Sequence, residues 1–155
     1  MITDCAECGL PCRAEVCQVC LVRSFVHRDL MSYTEVIEEL RERYMCAYCG
    51  EPADNKEHVI PRAYVGEHRF TVPSCWECNN LAGSRIFLTF TDKRDHVRRK
   101  LERKYKKLLK MPEWDRYELA EMDGNLRQAL LDAEEARKLI TVRLEFASEF
   151  LSLNR

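Results

Sequence analysis

Eight of the nine cysteines fall in four Cys-x-x-Cys pairs, and between the last two pairs runs Glu57-His58-Val59-Ile60-Pro61. One such pair can grip a metal ion from a tight turn, and two pairs complete a tetrahedral four-thiolate zinc site. Cys46, Cys49, Cys75 and Cys78 make one set and Cys5, Cys8, Cys17 and Cys20 a second, so the spacing predicts two structural Zn2+ ions. Cys12 is left over. No histidine and carboxylate stand beside it, so it reads as a buried thiol or an alternative ligand and not as a nucleophile. The enclosed histidine adds a different chemistry. Hydrolysis of a phosphodiester needs a base for the attacking water, a cation for the charge on the phosphate, and a scaffold for both. His58 suits the first task, because imidazole is neutral and proton-accepting at physiological pH. Glu57 and Asn79 offer hard oxygen donors of the kind that Mg2+ or Mn2+ prefers. The other histidines, His27, His68 and His96, have no comparable neighbours.

Taken in order, Cys46-Ala47-Tyr48-Cys49-Gly50, Glu57-His58-Val59-Ile60-Pro61 and Cys75-Trp76-Glu77-Cys78-Asn79 resemble the zinc-containing branch of the HNH, or His-Me finger, endonucleases. The order is similar to that of the phage endonuclease VII group, and Thr71 to Asn80 is similar to HNH proteins of phages and prophages. The match covers residues 45 to 85. It implies a ββα fold, His58 as general base, Glu57 and Asn79 as ligands of a catalytic Mg2+ or Mn2+, and structural cysteines. The chain departs from that pattern at Glu57, where aspartate is usual, and at Phe70, where the family commonly has an asparagine that fixes the loop orienting the histidine.

The elements that must hold these groups are short at first. Residues 1–23 read as a cysteine knuckle and residues 24–44 as a connecting helix, with Ser32-Tyr33-Thr34-Glu35 as a capping box and helix from Tyr33 to Arg43. Residues 45–91 form the HNH-like module, in which Gly and Pro leave room only for strands near Glu57 to Ile60 and Phe70 to Val72, then a helix starting around Cys75 to Asn79. Residues 92–155 read as helical. Val97, Leu101, Tyr105 and Leu108 recur at helical steps up to Pro112. A short helix follows Trp114 and breaks at Asp123-Gly124-Asn125. A long helix then runs from Leu126 towards Leu151, burying Leu126, Leu130, Ala133, Ile140 and Leu144, with Phe146 and Phe150 near its end. The expected class is α+β, small and mainly helical: a zinc-stapled ββα module with an N-terminal zinc knuckle and C-terminal helices.

The formal net charge of −1 conceals a polarity of −4, +7 and −4 over residues 1–40, 41–110 and 111–155. Residues 93–110 hold ten basic and two acidic side chains, too lopsided for i to i+4 ion pairing. Arg98, Arg99, Arg103 and Lys106 are the candidate phosphate contacts, and DNA is the expected partner. The N-terminal knuckle or the acidic C-terminal helix is a candidate protein contact. A reducing, intracellular, cytoplasmic setting suits the thiolate zinc sites, and no apolar run approaches membrane-spanning length. The expected activity is metal-dependent cleavage or nicking of DNA. The alternatives are a catalytically inactive zinc adaptor that binds nucleic acid or protein, and a protein-interaction module built on the C-terminal helix.

Overall fold

The computed structural model describes residues 2–7, 9, 11–13, 16, 18–61 and 71–149. Cys8 and Cys17 of the N-terminal set, His68 and Phe70 of the central loop, and Phe150 and Leu151 lie outside them. Two minimal strands, β1 (Thr3–Asp4) and β2 (Pro11–Cys12), pair antiparallel ahead of helix α1 (Gln18–Met31). That helix begins inside the segment expected to be knuckle, and its Val26 and Leu30 are buried. Helix α2 (Thr34–Glu42) falls one residue inside its expected bounds at each end. The capping box does not form. Because α1 ends only two residues before α2, the Ser32 hydroxyl donates back to the Asp29 carbonyl at 2.6 Å and Tyr33 caps without a side-chain bond.

The central hairpin pairs β3 (Asn55–His58) with β4 (Thr71–Ser74) in the register Glu57 opposite Val72 and His58 opposite Thr71. Opposed residues share a face of the sheet. Glu57 and Val72 therefore point inward with Ser74, while Lys56 and His58 point to the other side with Thr71 and Pro73. Helix α3 (Trp76–Ala82) follows β4 and packs on β3. Helix α4 (Phe90–Lys104) starts ahead of the expected Asp92, because Thr89 Oγ1 accepts the Asp92 N–H at 3.0 Å and so caps the helix at Thr89.

The expected continuous helix to Pro112 is split at Tyr105, and α5 (Lys106–Leu109) finishes it. Helix α6 (Arg116–Ala120) is set by an Asp115/Glu118 capping box, and α7 (Gly124–Glu149) packs against α4 and α5. Ile140 is buried as expected, but Leu126 is 54% exposed. Residues 125–129 are exposed throughout, so these early residues of α7 bury no face.

One core runs through residues assigned above to separate segments. Val26, Leu30, Ile37 and Leu40 pack with Tyr48, Val59 and Val72 and with Phe90, Val97 and Leu101. Phe90 is its hub: fully buried, it meets the Tyr48 and Tyr33 rings edge-on at 5.7 and 6.0 Å. Among the described residues no helix is long and apolar enough to cross a membrane.

Candidate metal centre and its neighbouring histidine

Cys46, Cys49, Cys75 and Cys78 converge in the core, with all four sulfurs within 4.8 Å of one another. A zinc ion at about 2.3 Å from each sulfur requires sulfur-to-sulfur edges of about 3.8 Å. Cys49 Sγ lies 3.8 Å from Cys75 Sγ, so the set fits Zn2+. Local structure aims each pair. After Cys49 the chain turns through Gly50 at φ 75°, and the Gly50 N–H closes the knuckle on the Cys46 carbonyl at 2.9 Å. Cys75 caps α3, its sulfur accepting the Cys78 N–H at 3.4 Å. The Ala47 N–H donates to the Pro73 carbonyl at 2.9 Å and ties the first pair to β4. Hydrogen bonds from Cys49, Cys75 and Cys78 hold Cys46 far below the thiol range, while the bond to Cys46 pushes Cys78 far above it. Four crowded thiols share their protons in this way, and a cation binding them would release those protons.

Three buried cations surround this module. Arg143 of α7 donates to Glu77 Oε2 at 2.6 Å and to Cys49 Sγ at 3.6 Å. Burial alone would lower its pKa, but Glu77 and Cys49 hold it firmly charged. Glu77, inside the second cysteine pair, also accepts from Tyr105 at 2.7 Å and from Lys104. Arg94 Nε donates to the Ala47 carbonyl at 2.9 Å. A four-thiolate zinc centre carries net negative charge, and such outer groups orient and offset the ligands. Packing adds to them: a Cβ at Gly50 would lie 2.9 Å from the Phe146 ring, so glycine is what lets α7 approach the knuckle.

The third cation, Lys93, is fully buried, and its ammonium donates to Glu57 Oε1 at 2.6 Å and to the His58 and Val59 carbonyls at 2.8 and 2.9 Å. Three acceptors match the three protons of an ammonium. Glu57 Oε2 accepts from the Tyr48 hydroxyl at 2.5 Å, and burial keeps that phenol protonated. Burial pushes Glu57 up and Lys93 down, each opposed by attraction to the other. The bonding pattern is that of the ion pair.

Glu57, expected to face a catalytic Mg2+ or Mn2+, is instead 3% exposed with both oxygens engaged from inside the protein. The cation at this carboxylate is Lys93, and the donor set does not fit a divalent ion there. The same ammonium fixes the peptides on either side of the strand end, which is how the His58 backbone is held. His58 is the last paired residue of β3 and is half-buried. Asn79, one position past the last cysteine, is half-buried on α3.

Among the ten basic residues of 93–110, Lys93 and Arg94 are internal, Lys104 pairs with Glu77, and Lys100 donates to the Leu81 carbonyl. Arg98 pairs along its own helix with Glu102 at 2.8 Å. Arg99 turns its Nε to the Asp95 carbonyl, and Arg103 and Lys106 are exposed with no acidic partner among the described residues. His96 stands near the cationic surface. Burial first, then Lys100, Arg85, Arg99 and Arg103, push its pKa below the ordinary histidine range. Of the N-terminal set, Cys5 and Cys20 are buried.

Lys93, Arg143, Tyr48 and Glu77 were not among the residues singled out in the sequence, yet each had a signal. Tyr48 and Glu77 lie inside the cysteine pairs, Lys93 is one turn before Val97 on the apolar stripe of α4, and Arg143 stands three residues after Ile140 on that of α7. No protein-family model, curated protein or solved structure matches the chain.

Proposed function

We propose that this chain is a DNA phosphodiester hydrolase of the HNH, or His-Me finger, kind, with β3, β4 and α3 as its ββα unit and His58 as general base. What carries the reading is one observation. The hairpin that ends in His58 is joined to α3 by a four-cysteine cluster, and Lys93 clamps the His58 and Val59 peptides from behind. A base on a backbone held this way needs little reorganisation to act. The imidazole takes a proton from water as the water oxygen bonds to phosphorus, and the bond to the sugar oxygen breaks, that oxygen taking a proton from solvent water to leave as the hydroxyl. Since Glu57 presents no ligand, charge on the phosphate falls to the cations of the chain. Lys56 shares the His58 face of the hairpin, two residues from the proposed base, while Arg103 and Lys106, exposed ten and thirteen residues beyond the Lys93 that holds the His58 peptide, contact DNA phosphates away from the reacting bond. The zinc is structural, and a second Zn2+ held by Cys5, Cys8, Cys17 and Cys20 belongs to the same proposal, supported by the burial of Cys5 and Cys20.

A second reading, a zinc adaptor that binds DNA without cutting it, is favoured by the closure of Glu57 against Lys93 and Tyr48. Supercoiled plasmid incubated with the protein in Mg2+, Mn2+ or EDTA separates the two. Relaxation supports the hydrolase; salt-sensitive binding without relaxation under any of these conditions supports the adaptor and sinks the catalytic assignment.

A further inference from the structure

Helix α2 closes in a Schellman motif: the Met45 N–H donates to the Leu40 carbonyl at 2.8 Å and the Tyr44 N–H to the Arg41 carbonyl at 3.1 Å. The residue at the centre of that motif takes a left-handed conformation, and glycine is its usual occupant because it has no Cβ to clash. Here it is Tyr44, at φ 53°, the only non-glycine with positive φ among the described residues. A bulky side chain in this region weakens the fold. The ring returns little of that loss by packing, since Tyr44 is 75% exposed.

Tyr44 opens onto a cleft of about 770 Å³, lined also by Arg41, Asp54, Asn55, Lys56 and Thr71. Sites for small organic groups commonly measure about 300–1,000 Å³. The hairpin register places Lys56 and Thr71 on the same face as His58, so the cleft lies along the face that carries the proposed base. Its chemistry is mixed in a particular way. Tyr44 offers an aromatic plane, and Asp54, whose Oδ1 already accepts from Asn55 Nδ2 at 3.1 Å, offers its other carboxylate oxygen as an acceptor. Lys56 is exposed and is the cation of the cleft, while Arg41 at the rim is taken up by its Nη2 bond to the Thr71 carbonyl at 2.7 Å and by its ion pair with Glu38. A stacking plane, an acceptor at the base edge and a cation for the phosphate are what an unpaired nucleotide requires.

Building on the hydrolase reading, we propose that this cleft holds one unpaired nucleobase of the DNA, stacked on Tyr44, with its flanking phosphate against Lys56. Such a site selects DNA with a displaced or single-stranded nucleotide near the bond cut at His58. Fully paired duplex leaves it empty.

The strained backbone provides an unusual test. Tyr44→Gly removes the steric conflict along with the ring, so its Tm stays the same or rises, whereas a residue kept for packing would lower it. Binding is measured by fluorescence anisotropy on a paired duplex and on the same duplex with one bulged nucleotide. The wild type is expected to favour the bulged DNA. Tyr44→Gly loses that preference by about 5- to 150-fold, the range that one base–aromatic stack supplies. Paired-duplex affinity is kept, and Tyr44→Trp retains the preference. Equal wild-type affinity for both DNAs, a proportionate loss on both in Tyr44→Gly, or a Tm well below wild type overturns this proposal alone. A wild type that binds neither DNA removes the nucleic-acid reading, and this one with it.

Discussion

Arg143→Met tests how the C-terminal helix is joined to the metal centre. The Arg143 side chain is 10% exposed and that of Glu77 18%, and the two meet at 2.6 Å. Removing one member of a buried pair costs about 3–5 kcal/mol when its partner is left alone. Glu77 is not left alone, since Tyr105 and Lys104 still donate to it. The loss therefore shrinks to that of one charge-assisted hydrogen bond, about 1.5–3 kcal/mol. For a chain of 155 residues that is a fall in Tm of roughly 3–12 °C at saturating zinc. A second effect is independent of the first. The lost N–H to Cys49 Sγ should weaken zinc at least ~10-fold in a chelator competition, as is typical of groups that support metal ligands. Crossing the variant with Glu77→Gln should return a coupling of ~1–2 kcal/mol.

The pH dependence has a definite sign. Burial would raise the Glu77 carboxyl, but Lys104, Tyr105 and Arg143 together hold it below its ordinary value of 4.5. Its contribution is therefore whole above that value and is lost as pH falls through the lower folded value. The difference between wild type and Arg143→Met should narrow in that acid range. Unchanged Tm and unchanged zinc affinity would refute the reasoning and leave α7 attached through apolar contacts such as Phe146 alone.

Lys93→Met should cost about 3–5 kcal/mol in urea unfolding, because it strands the Glu57 carboxylate in the core; adding Glu57→Gln should restore part of this, the His58 and Val59 carbonyls still lacking the Lys93 donor, and a double variant as weak as the single would deny the ion pair its part. Cys78→Ser should lose the central zinc by elemental analysis and with it cooperative melting, since three thiolates no longer close the site. A normal melt would show that the cluster staples nothing. Arg103→Gln and Lys106→Gln should each lower the slope of log affinity against log salt by about 0.9 on duplex DNA, and an unchanged slope would assign both charges to solvent.

The central cysteine cluster was legible because spacing alone dictates which sulfurs can share a metal, and it lies where the pairs implied. The hairpin and α3 were legible in outline from the Gly and Pro residues that bracket them, but the strands are displaced from the expected Glu57 to Ile60 and Phe70 to Val72: β3 is Asn55–His58 and β4 is Thr71–Ser74. Two kinds of feature were not. Helix α1 was hidden by reading Cys17 and Cys20 as loop, although Val22, Val26 and Leu30 keep a four-residue step through it. The fate of charged side chains was hidden as well. A run of ten basic residues looks like one cationic face, but the apolar stripe of α4 continues one turn back from Val97 into Lys93 and Arg94, and these became interior. Glu57 shows the same limit. Strand alternation determines which way it points, and only the tertiary arrangement supplies the lysine and tyrosine that close over it.

The most direct test of the account is the single-turnover rate of plasmid nicking by wild type and His58→Ala, with DNA affinity measured on the same preparations. If His58 is the base, the variant should cut ~10² to 10⁴ times more slowly, the usual contribution of general-base catalysis. Its DNA affinity, circular dichroism and zinc content should stay at wild-type values. Equal nicking rates for the two proteins would contradict the assignment of His58 outright.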